Sequence, residues 1–251
     1  MTATGGVPDT GARARSIAFF DVDETLIGPK SMFSFLEFHL RDGSGPAGTY
    51  EQAVAGLSAA AARGLPRRDV NRLYYRLMAG ESAHDLRARG RAWFAEAARD
   101  PGFWHSPVLE RLRRHRAQGD LVVLLSGSFF ACLEPVGEAA GAHWALGTRP
   151  VVRDGVLTGE VLVPMIGATK GAAARAAAAV RGIPLADCTA YGDHSSDLPL
   201  LSAVGRPVAV GEDPALAEQA EHHGWERIRL APHPSTAAMA PVGGAPGSAD
   251  Q

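Results

Sequence analysis

The sequence predicts an α/β protein built on a parallel sheet, with a helical insertion after the first strand. Three observations carry this. Ser16-Ile17-Ala18-Phe19-Phe20 and Leu121-Val122-Val123-Leu124-Leu125 are short continuous apolar runs, the pattern of strands covered on both faces. Strand and helix patterns alternate through the second half of the chain, which calls for parallel pairing with right-handed crossovers. Between the two runs lie about seventy residues with helical spacing, enough for a small helical body.

Taken in order, residues 1–15 are rich in Gly, Thr, Ala and Pro without periodicity and read as a flexible arm. The first strand ends in Asp21-Val22-Asp23-Glu24-Thr25. Ser31 to Leu40 is apolar almost all round, which predicts a helix buried between two bodies of protein. Residues 41–48 form a flexible break, and helical patterns resume over 49–63, 66–79 and 82–98, punctuated by Gly64-Leu65-Pro66 and Gly80-Glu81-Ser82. A helix from Pro107 to Gln118 precedes the second strand, and another, Ser128 to Ala140, follows it. Thr148–Val152 and Val156–Val163, joined by Arg153-Asp154-Gly155, predict a hairpin with an Asp-Gly turn. The alanine-rich helix Ala172–Val180, strands at Cys188–Tyr191 and Pro207–Val210, a helix over 214–223 and a strand near Arg227–Leu230 complete the pattern. From Pro232 onward, Pro, Ala, Gly and Ser dominate, and the tail 232–251 is expected to be disordered.

The 251 residues suffice for one α/β domain with an insertion. A net charge of −2 gives no global field for nucleic acid or an anionic membrane, and the arginines of the helix at 107–118 read as a solvated face. No apolar run approaches a membrane span of roughly 18 residues, and no leader pattern opens the chain. A cytoplasmic location is the expectation. Cys132 and Cys188 lack metal-ligand spacing and read as small buried residues in a reducing compartment. The sequence sets no oligomeric state.

The chemistry concentrates at strand ends. In an open α/β sheet, ligands bind beyond the carboxyl ends of the strands. Asp21 and Asp23, two residues apart there, repel each other and require a metal, a proton or a lysine to offset them. Ser126 and Gly127 end the second strand, where free backbone N–H groups at a helix start suit an oxyanion. Lys170 sits near the start of the alanine-rich helix, a position otherwise typical of a surface lysine. Asp193 lies in Tyr191-Gly192-Asp193-His194-Ser195-Ser196-Asp197, where a helix N-cap is the competing reading and compatible with a role in the site.

Asp21-Val22-Asp23-Glu24-Thr25, Ser126, Lys170 and Gly192-Asp193 with Asp197 together resemble, in order and interval, the four motifs of the haloacid dehalogenase-like phosphohydrolases. The resemblance runs from about residue 16 to 230. It is similar to subfamily IB, the phosphoserine-phosphatase-like branch, whose helical cap (type C1) is inserted between the first two motifs. It implies a Rossmann-like core over 16–29 and 106–231 and a cap over 30–105. It also implies a Mg²⁺-dependent phosphatase acting on a small-molecule phosphate monoester through an aspartyl-phosphate. Asp21 is then the nucleophile and Asp23 the acid/base. Thr25, Ser126, Gly127 and Lys170 face the phosphate. Asp21, the backbone carbonyl of Asp23, and Asp193 hold the metal, and Asp197 supports from behind. Glu24 has no assigned role, and His194 is read as a rim residue.

One position departs from the pattern. Phosphoserine phosphatases carry a glutamate nine residues after the nucleophile, which meets the substrate's ammonium group. Lys30 stands there in this chain and would repel that group. A sugar, cyclitol or other metabolite phosphate is therefore the expected substrate. The alternatives are an amino-acid phosphatase of the phosphoserine type, a phosphotransferase or mutase, and a non-catalytic binder of phosphorylated metabolites.

Overall fold

The structure, a computed structural model, describes residues 14–41 and 48–230. Most of the arm, the break after the first helix and the tail lie outside the described residues.

Six parallel strands form one sheet: β1 (Ile17–Asp21), β2 (Leu121–Ser126), β3 (Trp144–Gly147), β6 (Thr189–Gly192), β7 (Arg206–Val210) and β8 (Glu226–Ile228). Their order is β3-β2-β1-β6-β7-β8, so β1 is central and the chain reverses its direction of travel between β1 and β6. That reversal opens a crevice at the carboxyl ends of β1 and β6. Alternation along β1 sends Ala18 and Phe20 to one apolar cluster and Ile17 and Phe19 to the other. All five residues of β1 are buried, which is why it reads as an unbroken apolar run.

One face of the sheet carries α7 (Ala168–Arg181), α8 (Leu198–Leu201) and α9 (Pro214–His223); their apolar residues share a cluster with Ile17 and Phe19. On the other face, α5 (Ser106–Ala117) and α6 (Phe130–Ala140) pack with four helices inserted between β1 and α5: α1 (Ser31–Leu40), α2 (Tyr50–Ala62), α3 (Arg67–Leu77) and α4 (Ala83–Ala97). Phe35, Tyr74, Tyr75 and Trp93 of the insertion join Phe129 of the sheet-bearing part in one buried aromatic group. Of α1, Glu37 alone is exposed, in keeping with its nearly all-round apolar pattern. The insertion starts its second helix with a full capping box, Thr49 against Gln52.

The hairpin β4 (Arg149–Arg153) and β5 (Val156–Val163) forms a separate two-stranded sheet. Asp154 and Gly155 both have positive φ, as the two central residues of a type I′ turn require. The hairpin does not extend the main sheet but lies against α3, tied by Gly80 N–H to the Leu157 carbonyl (2.8 Å) and Leu157 N–H to the Glu81 carbonyl (2.9 Å). β3 has no counterpart in the pattern read from the sequence. It is a four-residue edge strand of mixed burial, and neither an apolar run nor a clean alternation marks it.

Helices α4 and α6 meet at Gly90, where a Cβ would stand 1.9 Å from the Ala131 carbonyl oxygen. Gly90→Ala gains about 1 kcal/mol of helix propensity. The clash with rigid backbone outweighs it, and a net loss of about 1–3 kcal/mol is expected in denaturant unfolding. A variant as stable as the parent would show that the two helices part freely.

Candidate active site

β1 delivers Asp21 to the crevice and β6 delivers Asp193, one residue past its end. The turn Val22–Ile27 folds back with Leu26 and Ile27 N–H groups on the Val22 carbonyl, bringing Thr25 over both carboxylates. Thr25 Oγ1 lies 2.7 Å from Asp193 Oδ1 and 3.2 Å from Asp21 Oδ2. Lys170 reaches in from the first turn of α7 and donates to Asp21 Oδ1 at 2.5 Å and to Asp197 Oδ1 at 2.6 Å. Asp21, Lys170 and Asp197 are all buried. Burial by itself would lower the Lys170 pKa, but Asp197 and Asp21 outweigh it and hold the ammonium charged.

Two carboxylates pair with this cation, and a third stands beside them. Asp21, Asp193 and Asp197 each place an oxygen within 4.8 Å of the others. Burial, and then the charges of Asp21 and Asp197, push Asp193 well above the usual carboxylate range. Asp197 is raised by burial and Asp21 although Lys170 opposes the shift. A hard divalent cation fits this donor set: the ligands are oxygens, and the negative charge exceeds what Lys170 offsets.

Asp23 sits beyond the strand, half-buried, and its two oxygens are separately engaged. Oδ1 accepts the Ser31 N–H at 2.8 Å and Oδ2 accepts the Ser126 hydroxyl at 3.3 Å. Burial raises its pKa to about 6; Ser31 pulls the other way, and the Asp21 charge adds to the rise. A carboxyl tuned so can give and take a proton near neutrality. Ser126 Oγ also accepts the Ser128 N–H at 3.0 Å, which ties the end of β2 to the same crevice.

Comparison with known proteins matches residues 18–202 to the family model described as haloacid dehalogenase-like hydrolase. The chain belongs to that family. A probable phosphatase of Mycobacterium tuberculosis is 32% identical, the match covering 92% of this chain and 84% of that protein. A phosphoserine phosphatase of the same organism is 31% identical over 91% of this chain and 78% of its own length. Among solved structures, a Bordetella pertussis protein of unknown function matches with a TM-score of 0.77 at 28% identity, over 86% of this chain and 98% of that one. A phospho-aspartyl intermediate analogue of phosphoserine phosphatase matches with a TM-score of 0.63 at 22% identity, covering 86% and 93%, a likeness of fold. This hydrolase is thus a phosphatase of the phosphoserine-phosphatase-like branch.

In this phosphatase Asp21, Asp23, Thr25, Ser126, Gly127, Lys170, Asp193 and Asp197 gather at the carboxyl edge of the sheet. Lys30, however, is not a free cation. It precedes α1 and pairs with Glu24 at 3.2 Å, both side chains partly exposed. Glu24, which has no role assigned from the sequence, has a positive φ of 63°. His194 caps the short turn Ser195–Asp197 by accepting the Ser196 N–H at 2.9 Å, and Arg67 of α3 donates to the Ser196 hydroxyl at 3.4 Å. Sequence reasoning also missed Asn71, Tyr75 and Thr148, which surround Gly127; nothing in their local sequence marks them.

A cavity of about 920 Å³ lies at the opposite edge, along the amino-terminal ends of the strands. Arg111, Arg114 and Arg206 line it, and His115 bridges Asp120 (2.8 Å) and Tyr191 (3.0 Å) in its wall. None of Asp21, Asp23, Thr25, Ser126, Lys170, Asp193 and Asp197 lines it. The convergent carboxylates and lysine are the better guide.

Proposed function

We propose that this phosphatase hydrolyses a small-molecule phosphate monoester through an aspartyl-phosphate on Asp21, with Mg²⁺ as its metal. The observation that carries the reading is the buried Asp21–Lys170–Asp197 pairing beside Asp193, with Asp23 and its raised pKa one turn away. An oxygen of Asp21 attacks phosphorus, and the bond from phosphorus to the ester oxygen breaks. Asp23 gives its proton to the leaving alkoxide. Water then attacks phosphorus as Asp23 takes a proton from it, the bond to Asp21 breaks, and inorganic phosphate departs. Lys170, Ser126 and the Gly127 N–H face the charge that develops on the phosphoryl oxygens; the Ser128 N–H, expected from the sequence to be free for it, is instead taken by Ser126 Oγ. Asp21, Asp193 and the carbonyl of Asp23 would hold Mg²⁺, which supplies positive charge to those oxygens. Residues 30–105, with the β4–β5 hairpin against them, form the cap that excludes water during the first step.

The substrate is a sugar, cyclitol or other metabolite phosphate rather than an amino-acid phosphate. Lys30 stands where an ammonium group would need an anion, and Glu24 already has Lys30 as its partner. The Gly127 carbonyl at the cleft floor is also taken up by protein donors. The test is phosphate release from a panel of phosphorylated sugars, cyclitols, amino acids and nucleotides, with Mg²⁺ and with excess EDTA. Release that EDTA stops supports the reading; release that persists in EDTA removes the metal from it. Absence of release from the whole panel would favour a binder of phosphorylated metabolites. Lys30→Glu is expected to raise kcat/KM for phosphoserine relative to a sugar phosphate by about tenfold, because a carboxylate there attracts the ammonium group that the lysine repels. An unchanged ratio would show that position 30 does not meet the substrate.

A further inference from the structure

The Gly127 carbonyl receives three donors: Thr148 Oγ1 at 2.7 Å, Asn71 Nδ2 at 2.9 Å and Tyr75 OH at 3.2 Å. A carbonyl oxygen offers two lone pairs, so this one is saturated. Asn71 and Tyr75 belong to α3 of the insertion, and Thr148 to the link between β3 and β4. All three are buried, as are Ser126 and Ser128. Thr148 is itself fixed by accepting the Met165 N–H at 3.1 Å, and its own N–H donates to the Ser128 carbonyl at 2.7 Å.

The C=O and N–H of one trans peptide point in opposite directions. Pinning the Gly127 oxygen toward α3 therefore aims the Ser128 N–H away from it, onto Ser126 Oγ at 3.0 Å. With one side of that oxygen accepting, the Ser126 proton is directed to Asp23 Oδ2, 3.3 Å away. The chain of contacts runs from a helix of the insertion, through one peptide unit, to the hydroxyl and carboxyl of the reaction site. Ser128 is held from a second side by the Ser31 hydroxyl at 2.9 Å, and Ser31 N–H holds the other oxygen of Asp23.

We propose that Asn71, Tyr75 and Thr148 are positioning residues: by fixing the Gly127–Ser128 peptide they orient the Ser126 hydroxyl, so the phosphate-binding turn is in working geometry only while α3 is docked. Such buried, mutually oriented bonds are strong because the surroundings screen them little. The inference rests on the roles given above to Ser126 and Asp23.

The test uses the full chain, with p-nitrophenyl phosphate and Mg²⁺ for turnover, thermal unfolding for stability, and amide hydrogen exchange at Ser128. Tyr75→Phe and Thr148→Val are each expected to lower kcat about tenfold with KM changed less than twofold. Thr148→Ser, which keeps the hydroxyl, is expected to retain kcat within about twofold. In a Ser126→Ala background, Thr148→Val should add little further loss, because its effect passes through that hydroxyl. The Ser128 amide should exchange faster in Tyr75→Phe and Thr148→Val by more than the loss of global stability read from thermal unfolding accounts for. A kcat unaffected by Thr148→Val, or a loss undiminished in the Ser126→Ala background, overturns the proposal. Should the parent release no phosphate, the proposed function fails, and Ser128 exchange alone decides: unchanged protection in both variants overturns the positioning role.

Discussion

Asp21→Asn is expected to reduce kcat by at least about 10³-fold, because removing a nucleophile alone removes most of a catalytic constellation's effect. The amide that replaces the carboxylate has nearly the same shape and no anionic oxygen to attack phosphorus. The fold should tolerate the change. Lys170 keeps Asp197 at 2.6 Å and can donate to the new amide oxygen, so no buried cation is left unpaired. The crowding of Asp21, Asp193 and Asp197 within 4.8 Å is relieved at the same time. Thermal unfolding should therefore show a midpoint at or slightly above the parent's while single-turnover phosphate release is lost. Turnover at the parent rate in a folded Asp21→Asn protein would remove Asp21 from the nucleophile role.

Lys170→Met has the opposite profile, costing stability as well as turnover. Lys170 is 5% exposed and bonded to two carboxylates that are themselves buried. Taking away one member of a buried ion pair leaves its partners uncompensated, a loss of about 3–5 kcal/mol. Methionine fills a similar volume, so a cavity adds little. Urea unfolding in EDTA measures the loss. Adding Mg²⁺ should recover part of it, and by more than in the parent, because a dication held by Asp21 and Asp193, beside Asp197, would supply the charge the lysine supplied. An unchanged urea midpoint in EDTA would mean that the carboxylates take up protons in place of the lysine. A Mg²⁺ effect equal in both proteins would mean that cation and lysine do not share the same carboxylates.

The fold class was legible because its signals are local. β1 and β2 are buried on both faces and so read as continuous apolar runs, and the Asp-Gly turn of β4–β5 announces itself in two residues. β3 was not legible, since an edge strand of four residues, three half-buried and one exposed, has neither the run nor the alternation. The candidate site was legible where each polar group follows its own strand or opens its own helix, as Asp21, Ser126, Lys170 and Asp193 do. It was not legible where a role depends on a partner elsewhere. Glu24 looks like a solvated turn residue until Lys30 is found against it, and Lys30 looks like a free cation until Glu24 is. Such an exposed pair contributes little stability, so nothing in composition demands it.

By itself the sequence determined the parallel sheet with its helical insertion and the four groups gathered at the sheet's carboxyl edge. Strand ends and helix starts follow from the periodicity and capping of neighbouring residues. Only the tertiary structure decided how Lys170 divides between Asp21 and Asp197, how the β4–β5 hairpin lies on α3, and which donors close on Gly127. Those donors come from 56, 52 and 21 residues away in the chain. A hydrogen bond across such separations is chosen by which elements pack together and at what angle, and no local pattern encodes that.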